Sequence, residues 1–376
     1  MPERLRLNSV PATRALLSLY RTPASAPALA EGDWPAVLGA TRRSRTLGHL
    51  GLVLRQAGVL DALEPRVRAH FDSIAVLIAQ RRRQLRLELS ELDRATAAVD
   101  TPILLLKGSA YEAQALPLAG GRLPADVDLL VERSALTAME RALRAGGWRP
   151  AEINDYDERY YREWSHELPP FRHPSRGVEC DLHHAITPAM RGPGIDTRRL
   201  IADSLMVAHD GPRRLRVLQP VDQLLHCALH TFKDSDLDTR LREAMDFDLL
   251  YRHHAATDPE LAQKLAERAR MFGQARPLWW AMHFARRWLG TPIPSEAMIR
   301  LPAPAAASIR SMEWLCDRAM LPGRRHARQG LDRVATTVLL ARYHVQRLPL
   351  SRLLPHLLEK SRRRLFPAGA ATEAQR

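Results

Sequence analysis

Leu104-Leu105-Leu106-Lys107-Gly108-Ser109-Ala110, followed by Gly121-Arg122-Leu123-Pro124-Ala125-Asp126-Val127-Asp128-Leu129-Leu130-Val131, is the stretch on which the fold turns. Pro102 to Leu106 is a short apolar run without helical period, as a buried strand has. Gly108-Ser109 falls where that strand ends and a helix, Ala110 to Leu116, is expected to begin. A helix N-terminus offers unpaired N–H groups and the positive end of the dipole, so it suits a phosphate, and glycine lets the backbone approach the anion. In the strand expected over Asp126 to Val131, side chains alternate between faces. Asp126 and Asp128 therefore share one face, while Val127, Leu129 and Val131 turn to the core. Two like charges held side by side are costly unless a cation neutralises them. Mg2+, or Mn2+ in its place, is the natural candidate, because it takes carboxylate oxygens together with substrate phosphates. A solvated loop carrying two acids is the competing reading, weakened because the acids lead straight into an apolar strand.

Val178-Glu179-Cys180-Asp181-Leu182-His183 repeats the alternation and supplies a third carboxylate from a second strand. Asp181 is the better candidate for a shared metal site, with Glu179 at its edge and His183 as a supporting group.

Around this centre the pattern changes twice. Residues 1–95 read as a helical region, with apolar residues at helical spacing over Ala36 to Leu60 and Ile74 to Leu92. Residues 96–218 read as an α/β core. Its further extended segments are expected at Trp148 to Ile153, Arg159 to His166, Val178 to Ile186 and Leu215 to Leu218. A helix is expected over Ser134 to Ala145, with Ser134 as its N-cap and Gly146-Gly147 as its stop. Residues 219–376 return to helix, at Val221 to Phe232, Leu237 to His254, Pro259 to Phe272, Arg276 to Leu289 and Leu331 to Val345, before a basic tail. The fold class expected is α+β: a mixed-sheet core flanked by N-terminal and C-terminal helical regions.

The composition, 45% apolar and 26% charged, is that of a globular protein. No stretch approaches the roughly 18 apolar residues that cross a bilayer, and Met1 to Arg6 lacks a signal-peptide core, so a cytoplasmic location is expected. Cys180, Cys227 and Cys316 are scattered without a CxxC pair, which excludes a disulfide framework and a zinc ribbon. The net charge of +14 favours polyanionic partners, RNA among them. Arg81-Arg82-Arg83 and Arg362-Arg363-Arg364 are the candidate contacts, although arginines dispersed along helices read more readily as solvated faces.

The order of strand, Lys107-Gly108-Ser109, helix, Arg122, Asp126-x-Asp128 and Asp181-Leu182-His183 resembles the nucleotidyltransferases of the DNA polymerase beta superfamily. More narrowly, it resembles a bacterial family of uncharacterised nucleotidyltransferases. The likeness covers roughly residues 30–255 and includes Leu224 to His230, Leu241-Arg242 and Asp246. Two features depart from many superfamily members: the sixteen residues between Ser109 and Asp126, and the glycine-rich Ala119-Gly120-Gly121. The resemblance implies transfer of a nucleoside monophosphate from a nucleoside triphosphate to an acceptor hydroxyl. It places metal on Asp126, Asp128 and Asp181, phosphates on Gly108 and Ser109, and pyrophosphate charge on Lys107 or Arg122. The acceptor could be a small molecule, a peptide or a protein. The alternatives are an RNA- or tRNA-directed, toxin-like enzyme and a non-catalytic nucleotide-binding protein.

Other constellations read as structure. His226 and His230 stand at i and i+4, but Cys227 occupies the place of a metalloprotease glutamate. Asp246 is expected to pair with Arg242 one turn earlier. Trp279, Trp280 and Trp288 read as core.

Overall fold

The computed structural model describes residues 11–154, 158–159, 161–162, 165–188, 194–207, 215–323 and 330–347. Within them one mixed sheet holds seven strands: β1 (Leu104–Leu106), β2 (Asp126–Leu130), β3 (Arg149–Pro150), β4 (Phe171–His173), β5 (Arg176–His183), β6 (Leu205–Met206) and β7 (Arg216–Val217). Their spatial order is β3-β4-β5-β2-β1-β7-β6. β2 runs antiparallel to β1 and parallel to β5, and β1 runs parallel to β7. The three strands at the centre, β5, β2 and β1, are read from the sequence, and β3 and β7 fall within the extended segments expected at Trp148 to Ile153 and Leu215 to Leu218. β4 escaped notice among Pro169, Pro170 and Pro174, and β6 because Leu205 and Met206 are both exposed.

Four helices precede the sheet: α1 (Pro11–Arg21), α2 (Trp34–Arg43), α3 (Leu47–Gln56) and α4 (Pro65–Ala95). α4 starts where Pro65 sets the first turn and Glu64 accepts from Val67 N at 3.3 Å. It buries Val67, Phe71, Ile78, Leu85, Leu89 and Leu92 and packs on β2 and β5. Ala36 to Leu60 is two helices rather than one continuous stretch. Ser44 Oγ donates to Ala40 O and Arg45 adopts φ +55°, which turns the chain between α2 and α3.

Within the sheet region lie α5 (Lys107–Ala113), α6 (Leu136–Ala145) and α7 (Thr197–Ala202). Ser134 does not cap α6. It sits in a 3-10 turn, Arg133–Ala135, and its hydroxyl donates to Glu132 instead, at 3.1 Å. Gly147, at φ +97°, does end the helix, in a conformation that favours glycine. The expected strand at Arg159 to His166 is also corrected, since residues 158–159 and 161–162 are helical, with Arg162 paired to Glu158 one turn away at 3.2 Å.

The C-terminal helices are α8 (Pro220–Phe232), α9 (Leu241–Ala255), α10 (Leu261–Met271), α11 (Ala275–Phe284), α12 (Ser295–Ile299), α13 (Ala306–Ala319) and α14 (Gly330–Arg347). α9 starts four residues later than expected because Leu237 and Thr239 have positive φ. One hydrophobic cluster, from Leu16 to Leu339, runs through all three stretches of the sequence, and Trp279, Trp280 and Trp288 lie in it as expected. No helix among the described residues is long and apolar enough to cross a membrane.

Candidate functional site

The parallel pairing of β2 with β5 sets Asp128 opposite Asp181 and Asp126 opposite Glu179. Partners in register present their side chains to the same face, so four carboxylates and His183 look out from one side of the sheet. Val127, Leu129, Cys180 and Leu182 fill the other side and are fully or almost fully buried. Glu179, nearest the edge, is engaged by Arg172 of β4.

The three aspartates differ in environment. Asp128 is completely buried, and its Oδ1 receives both the Lys107 ammonium, at 2.7 Å, and His183 Nε2, at 3.0 Å. Burial alone would raise its pKa, but Lys107 and His183 hold it well below the usual carboxylate range. Its other oxygen, Oδ2, is buried and accepts no hydrogen bond. Asp126 is raised by burial and by the neighbouring Asp128 charge. Asp181 is pushed up to about 7 by burial, then by Asp128 and Glu167. The cluster is therefore short of positive charge at Asp126 and Asp181, and already neutralised at Asp128.

Lys107 owes its position to an uncommon backbone. It follows β1 directly and takes φ +44°, which folds the chain back so that its side chain reaches the strand paired with β1. The helix therefore opens at Lys107, not at Ala110, and Gly108 and Ser109 lie inside its first turn. Ser109 is fully buried and its hydroxyl has no hydrogen-bond partner. At Gly108 a Cβ would come 2.2 Å from Arg122 Nη1, so the absent side chain makes room for that guanidinium.

Arg122 is buried, and its Nε donates to Asp246 Oδ2 at 3.1 Å. His49 Nε2 meets the other oxygen of Asp246 at 2.8 Å. Asp246 thus pairs with Arg122 and His49, not with Arg242, whose guanidinium bonds Glu243 at 2.8 Å. Asp246 faces Arg122 and His49, whereas Arg242 reaches the adjacent buried Glu243. Burial opposes ionisation of Asp246, but Arg122 and His49 bring its pKa down to about 2. Arg122 remains close enough to Asp126 to lower that residue's pKa, so its charge is felt in the carboxylate cleft.

His226 and His230 lie on α8, and both are kept neutral. Burial, then the Lys107 charge, lowers His226 to about 3 and holds His230 well below the ordinary histidine value.

Residues 30–290 match the model of a family described as uncharacterised nucleotidyltransferases. The chain belongs to that family. No curated protein matches it. Among solved structures it is similar to JHP933 from Helicobacter pylori, at 12% identity and a TM-score of 0.31, over 73% of this chain and 97% of that one. A likeness that slight carries no argument. The match to this nucleotidyltransferase family runs from α2 through the sheet to α11, so the carboxylate face and the Arg122–Asp246 pair both fall within it.

Two residues were missed in this sequence: His49, which meets Asp246, and Glu167, beside His183. Neither has a sequence signal. His49 sits on a helix 197 positions from its partner Asp246, and Glu167 reaches the cleft only through an isolated antiparallel bridge to His183.

Proposed function

We propose that the chain transfers a nucleoside monophosphate from a nucleoside triphosphate to an acceptor hydroxyl, with Asp126, Asp128 and Asp181 as the acidic centre. The observation that carries this reading is the register of β2 and β5, which faces Asp128 with Asp181 and sets Asp126 two residues away on the same side. The donor set fits Mg2+ or Mn2+: carboxylate oxygens, two of them on acids raised by burial and neighbouring negative charge, and a buried Asp128 oxygen without a partner. When bound, the divalent ions would neutralise phosphate charge and lower the pKa of the acceptor hydroxyl. Asp126 and Asp128 would hold the nucleotide's ion, and Asp181 would complete the site and take the proton of the acceptor hydroxyl. The acceptor oxygen forms a bond to the α-phosphorus as the bond from the α-phosphorus to the bridging oxygen breaks, and pyrophosphate leaves with that electron pair. Gly108 and Ser109, in the first turn of α5, are assigned the β- and γ-phosphates. Lys107 holds Asp128 ionised, and Arg122 contributes charge from behind the cleft.

The acceptor follows from experiment. Purified protein is incubated with labelled nucleoside triphosphates, Mg2+ or Mn2+ and cell extract, and label is sought in metabolite, peptide, protein and RNA fractions. A nucleoside triphosphate with Mg2+ should also raise the melting temperature by mass action, and Asp126→Asn should weaken that shift. If none of the four nucleotides at millimolar concentration moves the melting temperature, the reading fails.

A further inference from the structure

Beside the carboxylates, the isolated bridge between Glu167 and His183 brings together three side chains that the nucleotidyl-transfer reading does not use as ligands. One donor atom from each of His166, Glu167 and His183 lies within 4.8 Å of the others. Glu167 Oε2 is 3.5 Å from His183 Nε2 and 3.7 Å from His166 Nε2. Around a tetrahedral ion with bonds of about 2.0–2.2 Å, neighbouring donors stand about 3.3 Å apart, so these gaps close with small side-chain rotations. The backbone holds the pieces in place. Leu168 N donates to Leu182 O and His184 N to His166 O, each at 2.9 Å, on either side of the bridge.

We propose that His166, Glu167 and His183 form a cation site for a divalent transition ion such as Zn2+ or Co2+, separate from the oxygen-only Mg2+ site. Two imidazoles and one carboxylate are a borderline donor set, which favours these ions over Mg2+. His183 Nε2, the nitrogen nearest Glu167, also lies 3.0 Å from Asp128 Oδ1, so it exchanges that contact for the ion and carries its proton on Nδ1, which is buried with no hydrogen-bond partner. Lys107 already neutralises Asp128, so Glu167 is the one uncompensated anion of the set. A route from solvent exists, since the side chains of His166 and Glu167 are 12% and 29% exposed. The bound ion would tie residues 165–168 to β5 and fix the His183 ring. This inference stands whether or not the chain transfers nucleotides.

The test is a Co2+ titration of chelator-treated full-length protein, read by visible ligand-field absorption and by displacement with Zn2+. One equivalent should bind, and an equal concentration of Mg2+ should not displace it. His166→Ala and Glu167→Gln should each weaken binding by at least about tenfold, as loss of metal-site groups does, whereas Asp126→Asn should leave the spectrum intact. Circular dichroism of the variants checks that they fold. The proposal is overturned if no absorption develops, if both folded variants bind Co2+ like the parent, or if Asp126→Asn abolishes the signal. A nucleotide melting shift in the same samples separates the two readings: loss of cobalt binding alone sinks this site, and loss of the nucleotide shift alone sinks the proposed function.

Discussion

Asp246→Ala offers the sharpest stability test, because Asp246 joins three stretches of sequence that are far apart. Its carboxylate accepts from Arg122 at 3.1 Å and meets His49 at 2.8 Å, and the side chains of all three are at most 10% exposed. Removing the carboxylate strands a buried guanidinium, and breaking a buried pair from one side costs about 3–5 kcal/mol. The lowered pKa of Asp246 corresponds to a smaller figure. A folded pKa of about 2 against an ordinary 3.8 corresponds to about 2 kcal/mol favouring the ionised carboxylate in the fold. Because the folded pKa is the lower one, this contribution is present above pH 3.8 and disappears as the pH falls through about 2. Urea unfolding at pH 7 of Asp246→Ala, Arg122→Ala and the double variant measures the coupling. Each single change should be strongly destabilising. The double variant should cost less than their sum by about 2 kcal/mol or more, since contacting charges are not additive. Additive losses, or a loss below about 1 kcal/mol for Asp246→Ala, would refute the assignment of Arg122 to this pair.

Gly48→Ala should destabilise by about 1–3 kcal/mol in urea, because its Cβ would fall 2.3 Å from Gly121 O and 2.5 Å from Ile78 Cδ1, the first of them backbone. His226, neutral in the fold with a pKa of about 3, leaves stability intact above its ordinary value of 6.5 and erodes it as the pH falls from there towards 3. By pH 5 the loss is about 2 kcal/mol, and His226→Gln should flatten the stability profile between pH 7 and 5; an unchanged slope would mean that the site protonates freely. Arg81→Glu/Arg83→Glu should leave turnover nearly intact if the acceptor is not RNA. A tRNA filter-binding titration should then show little salt dependence, against a log–log slope of roughly −0.7 per phosphate contact for a single-stranded partner. Arg82 is spared in that variant because its guanidinium holds the buried Glu112 at 2.5 Å, so it belongs to the α4–α5 packing. Arg362-Arg363-Arg364 lies outside the described residues.

What the amino-acid order determined by itself is whatever short-range periodicity encodes. The β2 and β5 alternation put Asp126 with Asp128, and Asp181 with His183, each on one face without knowledge of the fold, because a strand repeats every two residues. The helical regions on either side followed from apolar spacing, as did the burial of the tryptophans. Simple local rules failed in two ways, one within the sequence neighbourhood and one in space. Ser134 was a sound N-cap by type, but its hydroxyl found Glu132. Arg242 was correctly spaced for Asp246, yet the packing sets Arg122 and His49, from segments far away in sequence, against its two oxygens. Only the tertiary structure decided that β2 pairs with β5 in the register that faces Asp128 with Asp181. It alone brought Lys107 back onto Asp128 through a left-handed residue, and carried Glu167 to His183 across a single bridge. Each of these depends on contacts between segments whose separation along the chain leaves no periodic trace, because pairing free energy is set by which surfaces meet once the core has closed.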